Sequence, residues 1–287
     1  MATELEIKLT LSESAQQQAL NWLLSLPQAE KGPRKTLINR YFDTPDAALN
    51  QARAALRVRQ AGDRYIQTLK TRGEFVNGAH NREEWEWELS GPELDLSLLA
   101  QTPLYNQIDL ANLQLAFETN FQRQEIMLTD GNNDIEVAVD AGHILGGGRT
   151  TLPLHEVEFE LKAGDADCLM QQASKLAEQV PVFLNLVSKA EQGYFLAGIY
   201  RPSLSVPEHT VTATEFLHLL SVSWLTGEPV RFSESSLASL EKRSQSAGMT
   251  ELWRQASELL QGGITTAGLL ESLPDLGRLQ LALAVES

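Results

Sequence analysis

The sequence contains a single cysteine, Cys168, and no long apolar run. One cysteine excludes an intrachain disulfide and a cysteine-based metal cluster. No stretch approaches the roughly 20 consecutive apolar residues that a membrane-spanning helix needs. The first residues, MATELEIKLT, lack the basic start, apolar run and small-residue cleavage site of a signal peptide. We therefore expect a cytoplasmic protein that does not bind a membrane.

Positive charge is also scarce, since 23 lysines and arginines stand against 38 aspartates and glutamates. The formal net charge of -15 argues against nucleic acid as a partner, because attraction to phosphates needs a basic face. The length of 287 residues predicts one large or two modest domains. A hydrophobic content of 43% is enough for a folded core.

The first two-thirds of the chain repeatedly alternates charged and apolar residues, which is typical of β-strands. Helices are expected after Ser12, after residue 162 and from about Ala190. With the turn signals between them, the alternating segments predict roughly eight strands, and a last short strand is expected over 182–188. The eight are 3–11, 36–43, 54–60, 64–71, 82–89, 121–129, 134–140 and 155–162. Their order favours an antiparallel barrel or a strongly curled sheet.

Beyond Pro207 the sequence shows only helical patterns. Thr212 or Thr214 is the expected N-cap of the first helix, and Ser233 that of the second. The predicted helices cover 215–226, 234–246, 250–261 and a segment after Gly268. We therefore predict two domains, a β-rich domain over 1–201 and a small α-helical domain over 208–287.

At least five of the predicted strands carry one apolar and one charged face, because side chains two positions apart share a face. Examples are ELEIK at 4–8 and EVEFE at 156–160. A face in contact with water would explain any single strand of this kind. With this many, a barrel whose charged faces turn inward is a second possibility. Such an interior must hold water, ions or a charged ligand, because unpaired buried charge is very costly.

The charged faces contain the residue types that bind a metal ion and a polyanion. The acidic pairs Glu4/Glu6 and Glu158/Glu160 offer the hard oxygen ligands that suit Mg²⁺ or Mn²⁺. Lysine and arginine suit phosphate oxygens. The candidates are Lys8, Arg57, Arg59, Lys70, Arg82, Arg123 and Lys189. A short polyphosphate together with a divalent metal fits this set of residues.

The same residues resemble the motifs of the CYTH superfamily, the triphosphate tunnel metalloenzymes. ELEIK at 4–8 matches the ExExK motif at the start of that family. The segments that resemble its later motifs, in family order, are LRVR at 56–59, TLK at 68–70, REE at 82–84, Arg123, 136–140, EVEFE at 156–160 and Lys189. The resemblance covers about residues 1–200.

The resemblance implies an α+β fold, in which an eight-stranded antiparallel β-barrel forms a tunnel with flanking helices and precedes the helical C-terminal domain. It implies a triphosphatase that hydrolyses inorganic triphosphate to diphosphate and phosphate through a metal-activated water. The implied metal ligands are Glu4, Glu6, Asp140, Glu158 and Glu160. The implied triphosphate-binding residues are the seven lysines and arginines named above, and Lys8, Glu6 and Glu160 are the predicted catalytic residues.

Other functions on the same tunnel stay open. A class IV adenylyl cyclase or a hydrolase of an organic triphosphate, such as thiamine triphosphate or a nucleoside triphosphate, is one alternative. A non-catalytic module that binds polyphosphate or nucleotide is another, although an anion binder gains nothing from so many carboxylates. The C-terminal region is acidic, with only His209 and His218, so we interpret it as a truncated or degenerate CHAD-like module or an unrelated one. No particular oligomeric state is predicted.

Overall fold

A computed structural model describes residues 2–71, 73–76, 78–105, 110–147 and 150–285 of the chain. The ends of the two predicted domains, Met1 and residues 286–287, lie outside these described residues.

Strands dominate the first part of the described chain and helices the second. The strands are β1 (Ala2–Thr10), β2 (Ala29–Asp43), β3 (Ala55–Ala61), β4 (Arg64–Lys70), β5 (Glu74–Val76), β6 (Ala79–Leu89), β7 (Gln114–Thr129), β8 (Asp134–Leu145), β9 (Thr151–Ala163) and β10 (Phe183–Leu184). The α-helices are α1 (Glu13–Ser25), α2 (Ala48–Gln51), α3 (Asp167–Ala177), α4 (Lys189–Leu196), α5 (Ala213–Thr226), α6 (Glu234–Ser246), α7 (Thr250–Gln261), α8 (Thr266–Ser272) and α9 (Leu276–Ala284). Two 3-10 helices cover Leu96–Gln101 and Leu110–Asn112.

Eight of the strands close into an antiparallel barrel. Their order is β1, β9, β8, β7, β2, β3, β4 and β6, and β6 then pairs with β1. In that closing pair, Glu4 lies opposite Arg82 and Glu6 lies opposite His80. The short strands β5 and β10 pair with β6 and β1 at the edges of the barrel. The predicted α+β fold with an eight-stranded barrel is therefore confirmed.

Two strands are longer than the sequence pattern predicted. β2 begins at Ala29 rather than at residue 36, and β7 begins at Gln114 rather than at residue 121. The pairing of β2 with β7 is interrupted between Lys31 and Arg34. Pro33 lies in this interruption, because a residue without an N–H group is tolerated where the ladder is already broken. Because the proline breaks the alternating pattern, the sequence does not predict the first half of β2.

The apolar faces of the strands pack beneath helices. Ile7 of β1 and Phe159 of β9 share one buried cluster with Leu23 of α1 and Leu169 of α3. On another side of the barrel, Trp85 packs against residues that include Leu99, in the first 3-10 helix. The charged faces consequently point into the barrel, as the second of the two sequence interpretations required.

The helices after residue 207 lie against the barrel rather than apart from it. The side chain of Gln280 on α9 accepts a hydrogen bond from the Leu184 N–H at 2.9 Å and donates one to the Leu184 carbonyl at 3.1 Å. It thereby pairs with the backbone of β10 as a neighbouring strand would. Ser221 on α5 accepts a bond from the Leu186 N–H at 2.9 Å. Whether 208–287 forms a separate domain, CHAD-like or otherwise, stays a prediction.

The predicted helix starts can be compared with the caps. Ser12 accepts a bond from the Ala15 N–H and caps α1, and Ser233 caps α6. Of the two alternatives for α5, Thr212 is the cap, and it forms a capping box with Glu215. The helix expected after Gly268 begins earlier, at Thr266, because Thr265 caps it. Within the described part of the chain, no helix is long and apolar enough to cross a membrane.

We expect Gly193→Ala to lower the free energy of unfolding by about 2 kcal/mol, because overpacking strains a filled core. A Cβ atom at Gly193 would lie 2.1 Å from the ring of Phe117. That ring is itself packed between Tyr41 and Tyr194. Urea denaturation measures the effect, and Gly91→Ala is the control because a Cβ atom there meets nothing within 4 Å. Equal stability of the two variants would contradict the packing of α4 on β7.

Candidate functional site: the charged interior of the barrel

The barrel encloses a cavity of about 1340 Å³. All seven lysines and arginines predicted to bind triphosphate line it: Lys8, Arg57, Arg59, Lys70, Arg82, Arg123 and Lys189. Four of the five predicted metal ligands line it as well, namely Glu4, Glu6, Glu158 and Glu160. The fifth, Asp140, is fully buried behind the wall. The structure therefore brings the predicted residues together in one place.

The strand pairing of β1 with β9 sets the acidic part of this wall. Glu6 lies opposite Glu160, and Lys8 lies opposite Glu158. Directly opposed side chains have Cβ atoms about 5 Å apart, so these groups interact. Three carboxylates and one ammonium group thus share a small area of the cavity.

Two cations hold the carboxylates of β1. Glu4 accepts bonds from Lys70 Nζ at 2.7 Å and from Arg82 Nε at 2.9 Å. Glu6 accepts one from Arg82 Nη2 at 2.7 Å. Burial by itself raises the pKa of Glu4, but Lys70 and Arg82 together lower it well below its usual range. Glu4 is therefore firmly ionised.

Glu6 is in the opposite electrostatic situation. Burial raises the pKa of Glu6 to about 7, and the negative charges of Glu4 and Glu158 add to this effect, although Arg82 opposes it. Such crowding of carboxylates is costly, and a divalent cation among them would relieve it.

On the neighbouring strands, a second group of charges is tied together by Lys189, the first residue of α4. Its Nζ atom lies 2.5 Å from Glu158, 2.8 Å from Glu156 and 3.0 Å from Asp140. Arg123 grips Asp140 through two nitrogens, at 2.7 and 2.6 Å, and contacts Glu158 at 2.8 Å. Burial lowers the pKa of Lys189 and of Arg123, but these carboxylates raise it well above its usual value. Both residues are fixed cations.

Glu156 is part of this group, although its role was uncertain from sequence. Its side chain is only 1% exposed, and it also accepts a bond from Gln192 on α4 at 3.1 Å. Lys8 lies 3.6 Å from Glu156 and donates a hydrogen bond to the Val187 carbonyl. Glu156 and Asp140 therefore hold the lysines and Arg123 from behind the wall.

Arg57 and Arg59 on β3 are less closely paired with carboxylates. The nearest carboxylates to Arg57 are Glu84 at 3.8 Å and Glu86 at 3.9 Å, and its buried Nε atom has no partner in the described part of the chain. Arg59 Nε donates to the Asn39 amide at 2.7 Å, with no described carboxylate at salt-bridge distance. Burial, Arg57 and Arg123 lower the pKa of Arg59 to about 9. This side of the cavity is suited to an anion.

Residues that the sequence analysis did not select also line the cavity. Tyr41 stacks on Phe117 at 4.5 Å, and the positive charge of Arg57 beside it helps to lower its pKa against the effect of burial. His80 stacks on Phe75, and burial, Arg82 and Lys8 lower its pKa to about 3. His80 lies two residues before Arg82 on β6, so the alternation could have identified it as a residue of the inner face. Tyr41 carries no such signal because its strand alternates poorly.

One residue that alternates in step with the inner face lies outside the cavity. Glu88 on β6 shares its parity with Arg82, but its side chain is 64% exposed and pairs with Arg64 at 3.0 Å. The strand continues past the end of the cavity there, so alternation alone does not show whether a residue lines the cavity. Glu160 lies near the rim, where it accepts a bond from Lys162 at 2.7 Å, and burial raises its pKa.

The acidic residues fit a hard divalent cation by their chemistry and by the crowding around Glu6. Among the described residues, however, no three His, Cys, Asp or Glu side chains are already grouped as a metal site. The cations described above hold these carboxylates instead. The metal-binding roles of Glu4, Glu6, Asp140, Glu158 and Glu160 stay predictions.

Known proteins resemble this chain mainly over the barrel. The family model described as the CYTH domain matches residues 2–194. The inorganic triphosphatase of Haemophilus influenzae is 32% identical over 198 residues, which are 68% of this chain and 55% of that protein. The chain thus spans about half the length of this curated relative.

The fold resembles that of HpAC1 from Hippeastrum, a structure said to reveal a dominant triphosphatase activity. The two share 21% identity and a TM-score of 0.51, over 69% of this chain and 98% of the other. This likeness concerns the fold alone.

We expect two arginines of this cavity to affect the ligand-free protein in opposite ways. Arg123→Gln leaves buried Asp140 and Glu158 short of a partner, so the free energy of unfolding should fall by about 3 kcal/mol. Arg59→Gln removes a cation that repels Arg57 and Arg123, so stability should stay equal or rise. Urea denaturation without added anion measures both. A comparable loss in the two variants would contradict the division into compensated and uncompensated cations.

Proposed function

Because the chain belongs to the CYTH domain family, we propose that it is a triphosphatase that hydrolyses inorganic triphosphate to diphosphate and phosphate with Mg²⁺ or Mn²⁺. The observation that carries the proposal is a single cavity in which Arg57, with only long ion pairs, and Arg59, with no described counter-ion, share the wall with a crowded group of carboxylates. An anion alone would repel the carboxylates, and a metal alone would repel the arginines. A phosphate chain with a bound divalent ion satisfies both. The name of the Haemophilus relative supports this choice of substrate.

The arginines of β3 would bind the phosphate chain. Arg57 has an unpaired Nε atom and only long ion pairs with Glu84 and Glu86, and Arg59 has no counter-ion among the described residues, so phosphate would displace little from either arginine. Guanidinium groups bind phosphate oxygens through two parallel hydrogen bonds. Binding of the substrate would also offset the repulsion from Arg57 and Arg123 that, together with burial, lowers the pKa of Arg59.

Glu4, Glu6, Glu158 and Glu160 would hold the divalent ion, with Asp140 in support behind them. When bound, the ion supplies an attacking water of lowered pKa and neutralises charge on the phosphates. The carboxylates would hold the ion in place, and the lysines and arginines would hold the phosphates. Lys70 and Arg82 are within reach of both Glu4 and the cavity, and would turn from the carboxylates to the phosphates as substrate enters.

Lys8, Lys189 and Arg123 would stabilise the negative charge that moves onto the departing diphosphate. Asp140 and Glu156 hold Lys189 and Arg123 from behind, so these cations keep their positions before and during the reaction. Charges that need no rearrangement stabilise a transition state more effectively than mobile ones. Lys8 lies opposite Glu158, next to the proposed metal ligands, and is the residue we propose to neutralise the leaving group.

Phosphate release from inorganic triphosphate with Mg²⁺ or Mn²⁺ tests the activity directly. Glu6→Gln should lower kcat by about 100-fold, because it removes a charged ligand from the reacting centre. Glu88→Gln is the matched control, since Glu88 lies on a barrel strand but its side chain is exposed to solvent, and it should retain full activity. A chelator should abolish release in every variant.

The same assay with ATP and thiamine triphosphate separates the alternatives. Turnover of an organic triphosphate without turnover of inorganic triphosphate would overturn the substrate. Formation of a cyclic nucleotide from ATP would favour the cyclase alternative. Tight triphosphate binding without turnover in either metal would make the non-catalytic module the better interpretation.

Metal and triphosphate should bind cooperatively. The metal must displace Lys70 and Arg82 from Glu4 and Glu6, and the phosphates offer these cations another partner. Thermal unfolding with Mn²⁺, with a non-hydrolysable imido analogue of triphosphate, and with both measures this coupling. The rise in Tm with both should exceed the sum of the separate rises. Strict additivity would mean that the ion pairs do not oppose metal binding.

A further inference from the structure

The cavity extends beyond the part of the chain that matches the family. The match ends at residue 194, yet Tyr200 and His218 of α5 also line the cavity. Arg53, which follows α2, lines it as well. We call Arg53, Tyr200 and His218 the mouth cluster. It lies at the end of the barrel where β3 begins and where Lys189 starts α4.

The segment that carries Arg53 is held firmly. The buried carboxylate of Asp43 accepts bonds from the N–H groups of Leu49 and Asn50, both at 2.9 Å, and from the Tyr194 hydroxyl at 2.8 Å. Arg53 itself has φ of 54°, in the left-handed region that residues other than glycine rarely adopt. Such strain often marks a functional position.

Arg53 and Glu191 lie within electrostatic reach of both His218 and Tyr200. Burial lowers the pKa of His218, and the positive charge of Arg53 lowers it further, while Glu191 raises it. Burial raises the pKa of Tyr200, with Glu191 adding to the effect and Arg53 opposing it. Arg53 and Glu191 therefore act on both.

The mouth cluster offers three hydrogen-bond donors that are not engaged within the described part of the chain. In the part of the chain that the structure describes, the side chains of Arg53, Tyr200 and His218 make no hydrogen bond and no ion pair. The two nearby carboxylates each close a capping box at their own helix start, which holds them in place. Glu191 accepts from the Ser188 N–H and Glu215 from the Thr212 N–H, both at 2.8 Å. A guanidinium, a phenol and an imidazole together are suited to a phosphate.

We propose that the mouth cluster is a further phosphate subsite, which holds the fourth phosphoryl group of a linear inorganic polyphosphate whose other phosphates lie along the barrel interior. The inference rests on the proposed function, and it makes the helix α5 a determinant of chain length. The positive charge of Arg53 favours a phosphate over an uncharged organic group at this position.

Hydrolysis of inorganic triphosphate and of linear tetraphosphate by the full chain tests the subsite. Arg53→Asn removes the charge, and asparagine tolerates the left-handed conformation. It should raise the KM for tetraphosphate by about tenfold, the usual effect of losing one charged hydrogen bond, and leave kcat/KM for triphosphate unchanged. Tyr200→Phe, which loses only a hydroxyl, should act in the same direction and less strongly. Arg254→Gln, which removes an exposed arginine of α7 that pairs with Glu251 and Glu258, is the control and should change neither substrate.

Each outcome separates this inference from the proposed function. Equal losses on both substrates in Arg53→Asn and Tyr200→Phe would overturn the subsite, because the cluster would then belong to the triphosphate site. Losses confined to ATP would assign the cluster to an organic group and overturn it as well. If the wild-type protein hydrolyses neither phosphate, the proposed function fails, and calorimetric titration with the two phosphates still tests the subsite. Tighter binding of tetraphosphate that Arg53→Asn abolishes would then support it, and equal affinities would overturn it.

Discussion

Burying charge inside a closed barrel is the constraint on which the rest of this structure depends. Every charged group in the interior needs a partner of opposite sign, contact with water or a ligand. Asp140 and Glu156 satisfy Lys189 and Arg123 almost completely, and this makes one wall rigid. Arg57 has only long ion pairs and Arg59 has no described carboxylate partner, and this makes another wall receptive to anions. Which cations have a carboxylate partner therefore matters more than how many charges there are. The paired cations stiffen the wall, and the less closely paired ones form the binding site.

The alternation of residues predicted the barrel and most of its interior, because parity on a strand fixes which face a side chain occupies. It could not give the length of β2, whose pattern is broken at Pro33, or the depth of Glu88, which shares parity with Arg82 but lies past the end of the cavity. Tyr41 escaped notice because an aromatic residue on an inner face has no charge to reveal it.

The partners of the charged residues were beyond the reach of the sequence. Which lysine neutralises which glutamate depends on register between strands that are distant in the chain, such as β1 and β9, and on α4, which places Lys189 against three carboxylates. Asp140 illustrates the difference, since its motif position suggests a metal ligand, while its complete burial gives it two cations to hold. Alternation along a strand shows which face a side chain occupies, whereas its partner on another strand is known only from the folded barrel.

The contact between Gln280 and Leu184 has a consequence for how the chain is made. A ribosome releases β10 before α9, so the backbone of β10 waits about 100 residues for the side chain that pairs with it. During that time the edge of the barrel is open to other strands, the state from which chains associate wrongly. Synthesis of α9 therefore ends the stage at which this edge is exposed. The helix covers the edge of β10 as a strand would, but it has no unpaired strand edge of its own.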